Sequence, residues 1–137
     1  MNWWLAGLIG GVAAYFADWL LWGKVFTKGM DAFVTRPPGS QPVNMGPMLA
    51  KSGALALLFG LILSYLYVRF KGALWVQGGG PLAGMEFATV LWLPTIALLS
   101  LGTGVWYDRV RPLLQAQFWA WLVRMNVAGL VVGLLVR

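Results

Sequence analysis

Of 137 residues, 60% are hydrophobic and only 10% are charged, against about 25% charged in a typical soluble domain, which excludes a soluble fold with one apolar core. The chain has no Cys and no His. Disulfides, thiolate nucleophiles, Cys-based metal sites and the usual haem ligand are thereby removed, and no metal or cofactor is expected. Ten Lys and Arg against four acids give a net charge of +6, set at the ends of apolar runs; this favours anionic lipid headgroups over nucleic acid as the partner.

The first apolar run spans residues 3–26, long enough for a bilayer core of roughly 30 Å, which takes about 20 helical residues. It lacks the basic start and clear cleavage site of a signal peptide, so it reads as a retained transmembrane helix. At helical spacing Gly7, Gly11, Ala14 and Asp18 share one face, a small surface that allows close helix approach and then presents a carboxylate. A carboxylate facing lipid is costly, so this face is expected to be covered by protein. Trp22, Lys24 and Lys28 mark the interface where the helix ends. Residues 27–47 follow, with Pro37, Pro38, Pro42 and Pro47, and read as a solvated linker. The alternative is a surface segment lying on the membrane through Met30, Phe33 and Val34.

The second span is predicted over 48–68, where Ser52, Ala56, Gly60 and Ser64 repeat every four residues as a packing stripe. Arg69 and Lys71 close it, and Trp75 with Gly78, Gly79 and Gly80 form an interfacial turn. The glycine run lacks the Lys-Ser/Thr of a phosphate loop. The third span, 82–107, begins near Glu86, an interfacial charge for which Arg69 or Lys71 is the available partner. Pro94 predicts a kink near residues 90–94, with Thr89, Thr95, Ser100 and Thr103 able to satisfy freed carbonyls. The fourth span, 113–136, opens after Pro112. It carries Arg124 on a face with Ala116, Ala120 and Ala128, and a second small face around Asn126, Gly129 and Gly133. One face can be used within the bundle, and the other can meet the remaining helix or another subunit. The fold expected is all-α: one domain of four transmembrane helices in an antiparallel bundle. Aromatic–charge clusters ending the first and third spans hint at a two-plus-two repeat.

Basic residues set the orientation. Lys24, Lys28, Arg36, Lys51, Arg109 and Arg111 fall on one side, Arg69, Lys71 and Arg137 on the other. Both termini are therefore expected outside, in the periplasm of an inner-membrane protein, with the Pro-rich loop in the cytoplasm. Asp18 then lies about 12 Å deep and Arg124 about 16 Å deep from the same surface. A long Arg side chain covers the difference, and a bidentate contact would suit the pair. One reading makes the pair structural, fixing register between the first and fourth helices. The other makes Asp18 a proton or cation site that Arg124 modulates. No catalytic constellation accompanies them.

The block Ala14-Tyr15-Phe16-Ala17-Asp18-Trp19-Leu20-Leu21-Trp22-Gly23-Lys24-Val25-Phe26 resembles the first helix of a group of small bacterial four-helix membrane proteins of unassigned function. Span number and an acid in the first helix are also similar to the small multidrug-resistance transporters. The chain departs from those in having Asp18 instead of Glu, a long Pro-rich first loop and a counter-ion at Arg124. The expected function is a structural or accessory subunit packing in a homo-oligomer or larger membrane complex. The alternative is a small proton-coupled transporter or channel using Asp18, and an enzyme acting on lipids or quinones ranks third.

Overall fold

The structure is a computed structural model and describes residues 1–25 and 45–136. Most of the expected Pro-rich loop, with Lys28, Met30, Phe33, Val34 and Arg36, lies outside the described residues, as does Arg137. All described regular structure is helical. Four helices, Trp3–Lys24, Leu49–Ala73, Pro81–Trp106 and Asp108–Leu135, are each long and apolar enough to cross a membrane.

The first long helix begins as α1 (Trp3–Leu20) and widens into a π turn over Leu21–Val25. The amide of Leu21 is shared between the carbonyls of Ala17 and Asp18, and the turn contains Gly23, the weakest helix former of this segment. The sequence predicts a plain helix to residue 26, so the widened turn is a local correction. The second helix, α2 (Met45–Phe70), starts earlier than predicted and takes Pro47 into its first turn. Proline is tolerated there because the first amides of a helix have no intrahelical partner. A 3-10 turn, Lys71–Ala73, extends it.

The third helix is in two parts, α3 (Pro81–Trp92) and α4 (Leu98–Trp106), joined by a π turn over Leu93–Ala97. Pro94 has no amide and its ring crowds the carbonyl four residues earlier. The ladder slips by one residue, so that the Leu98 amide bonds the Leu93 carbonyl. Thr95 donates its hydroxyl to the Leu91 carbonyl at 2.6 Å, adding a side-chain bond beside the Val90 carbonyl that Pro94 cannot serve. After a 3-10 turn, Asp108–Val110, the last helix is α5 (Arg111–Leu135), with Pro112 in its first turn.

Small residues decide which helices meet. A Cβ placed on Gly7 would lie 2.8 Å from the Gly60 carbonyl oxygen, and one on Gly11 would lie 2.5 Å from that of Ala56. Toward the start of α1, the Ser64 hydroxyl donates to the Trp3 carbonyl at 2.6 Å; toward its end, the Tyr15 hydroxyl donates to that of Leu49. The pair α3 and α5 repeats the device, with Gly84 against Gly129 and Gly133 against Gly80. The two pairs join where Gly10 of α1 meets Ala128 and Val132 of α5. Contact between α2 and α3 is sparse, carried by the edge-on rings of Tyr67 and Phe87. Ala6, Leu63, Tyr67, Phe87 and Val132 share one buried cluster, and Trp92, Ala97 and Met125 a second.

The outer surface is apolar. Leu55 is 64% exposed, Leu99 68% and Val105 73%, an inversion of the soluble pattern that accords with four helices long and apolar enough to cross a membrane.

Candidate functional site

Asp18 sits in the last turn of α1, and Arg124 in the middle of α5. The α1–α5 contact at Gly10 brings the two helices close enough for the side chains to meet. Arg124 Nη1 donates to Asp18 Oδ2 at 3.4 Å. One hydrogen bond forms here in place of the bidentate fork expected. The Arg124 side chain is only 12% exposed and that of Asp18 22%.

Aromatic rings complete the surroundings of the cation. The Arg124 guanidinium carbon lies 4.5 Å from the Trp121 ring centroid and 5.3 Å from that of Phe59. Phe59 and Trp121 pack edge-on against each other at 5.8 Å. The guanidinium therefore touches α1 through Asp18, α2 through Phe59 and its own helix through Trp121. Desolvated cation–π contacts of this kind are worth about 2 kcal/mol. Arg124 Nε is buried without a hydrogen-bond partner among the described residues, which offsets part of that gain. Chemically the result is a neutralised, largely enclosed ion pair. Among the described residues no three acids gather into a metal-ligating group. Three cavities among the described residues are lined by residues other than Asp18 and Arg124.

Glu86 takes a different partner from the one its sequence position suggests. Its two carboxylate oxygens accept the backbone amides of Trp75, at 2.7 Å, and Val76, at 2.8 Å. The loop folds back on α3 through Gly78, Gly79 and Gly80, at φ of 92°, 76° and 96°, a region glycine enters without steric cost. That return presents two unpaired amides, and a carboxylate accepting them satisfies both. Arg69 lies instead over the Tyr65 ring, 5.4 Å from its centroid, and Lys71 is exposed.

Of the small residues, Gly7, Gly11, Ala14, Ala56, Gly60, Ser64, Gly129 and Gly133 are buried, whereas Ser52 is exposed. Each four-residue step turns about 40° past a full turn, so the stripe winds away from α1 before it reaches Ser52. Both faces of α5 are used within the chain. The Asn126 face meets α3, where Thr89 donates to Asn126 Oδ1 at 3.2 Å. Sequence reasoning missed Gly10 and Gly84, and also the rings of Phe59 and Trp121. The spacing of Gly80 and Gly84 matches that of Gly129 and Gly133 and could have signalled the second crossing. Comparison with protein-family models, curated proteins and solved structures finds no match to this chain.

Proposed function

We propose that the chain is a structural or accessory subunit of a bacterial inner membrane, built as an antiparallel four-helix transmembrane bundle and packing with itself or a larger complex. The observation that carries this reading is the Asp18–Arg124 pair, with the Arg124 guanidinium flanked by Phe59 and Trp121. A carboxylate that must bind and release a proton or cation needs access and a state in which its charge is uncompensated. Asp18 is instead held by a fixed cation that links three helices, which suits a lock on helix register. In proteoliposomes carrying an internal pH dye, the purified chain is expected to show no proton flux above that of Asp18→Asn. Flux that depends on Asp18 would establish the transporter alternative in its place.

Orientation belongs to the same proposal, with both termini periplasmic and the Pro-rich loop cytoplasmic. The native chain has no Cys, so single cysteines report topology without background. Ser40→Cys is expected to react with an impermeant thiol reagent only from the cytoplasmic side. Gly72→Cys, where an added Cβ meets nothing within 4 Å, is expected to react only from outside. Reversal of the pattern would invert the topology. Labelling of both positions from both sides would mean dual insertion and would favour transport.

A further inference from the structure

The π turn at Pro94 has a consequence beyond the kink. Above it, α3 lies against α5 at the Gly84–Gly129 crossing. At the turn the Trp92 indole donates to the Phe118 carbonyl at 3.2 Å and packs on the Phe118 ring. Below it, α4 diverges from α5 and leaves a groove of about 450 Å³. Its walls are Leu101, Gly104 and Val105 on one side and Leu114, Phe118 and Trp119 on the other. Arg111 and Gln115, at the start of α5, line the same groove. Arg111 gives its Nη2 to Asp108 at 2.6 Å and to the Gly104 carbonyl at 3.2 Å. Its side chain is nevertheless 53% exposed, and Arg109 is exposed beside it.

We propose that this groove binds one acyl chain of an anionic phospholipid, whose phosphate is held at Arg111. The site rests on the membrane reading given above. An apolar slot with a guanidinium at one end matches a molecule that is hydrocarbon along its length and anionic at its head. A helix is the competing occupant, but it would set apolar side chains beside the half-exposed Arg111 guanidinium, to which a phosphate offers acceptor oxygens. A free phosphate ion would leave the apolar walls unused.

The test uses the full chain in detergent micelles with phosphatidylglycerol carrying a photoreactive diazirine on one acyl chain. Adducts are expected to concentrate in peptides covering residues 98–119, with at least threefold lower yield for the phosphatidylcholine analogue. Gly104→Leu fills the groove, and an added Cβ there meets only Leu114 Cδ1, at 3.8 Å. This variant and Arg111→Gln are each expected to cut adduct yield at least threefold, whereas Lys51→Gln leaves it unchanged. Adducts in the native chain spread equally over the outward face of α2, at Leu55, Leu58 and Ile62, would overturn the site while leaving the membrane reading intact. A groove that excludes the lipid and cross-links to a second copy would overturn it too. Absence of adducts from every apolar face would overturn the membrane reading as well.

Discussion

Asp18→Asn and Arg124→Gln are each expected to destabilise the detergent-solubilised protein by about 3 kcal/mol, and the double variant to recover most of that loss. Removal of either partner leaves the other charge in a site that is mostly closed, with 12% and 22% of the two side chains exposed. The lost hydrogen bond is long, at 3.4 Å, and contributes little by itself. The penalty comes from the orphaned charge, and this is why a second substitution relieves it. The two single losses should differ in detail. With Asp18 neutralised, Arg124 keeps the rings of Trp121 and Phe59, which soften the cost. With Arg124 gone, Asp18 keeps no comparable support among the described residues. Arg124→Gln is therefore expected to be the worse single change. A double-mutant cycle measured by reversible unfolding in mixed micelles checks both points. Additive losses would reject the pair as a structural lock.

How much of this arrangement could be read beforehand depends on the range of the interaction concerned. Spans are set by local composition, so four long apolar helices were legible, as was the break that Pro94 imposes. The form of that break was not, because a proline alone does not say whether the ladder kinks or slips by one residue into a π turn. Depth along a helix follows from counting residues, which is enough to bring Asp18 and Arg124 to a common level. Their surroundings are set by azimuth as well as by depth, and azimuth accumulates error. The same drift that carries Ser52 out of the α1 contact brings Phe59 under the guanidinium. Glu86 marks the other limit of sequence reading. Its partners are backbone amides, which have no identity in a sequence and become available only when the glycine turn folds back. Gly84 was legible in principle through its spacing from Gly80. The glycine run ending at Gly80 read only as a turn, and that hid its four-residue spacing from Gly84 as a packing pair.

Gly60→Leu is expected to be strongly destabilising, exceeding the loss from Leu63→Ala. Leu63 is fully buried, and a Leu→Ala truncation in such a place costs about 2–5 kcal/mol through lost contacts and a cavity. The neighbours of Gly60 impose a different penalty. A Cβ there would overlap the Gly7 carbonyl oxygen and come within 2.6 Å of the Gly11 amide nitrogen and 2.7 Å of its Cα. These are backbone atoms of α1, which cannot rotate away as a side chain can. The helices must separate, and separation also strains the Ser64–Trp3 hydrogen bond and the Gly11–Ala56 contact along the same seam. Gly84→Leu should behave likewise, since Gly129 and Gly133 present backbone atoms to it. The control is Gly53→Leu on the same helix as Gly60, where an added Cβ meets nothing within 4 Å. Its effect should be within about 0.5 kcal/mol, with helix propensity tending to favour Leu. On the membrane reading proposed above, close backbone approach takes the place of a water-driven hydrophobic force between helices, and the contrast between Gly60 and Gly53 measures what holds this bundle together. Equal tolerance at both sites would mean that the α1–α2 seam is not close-packed.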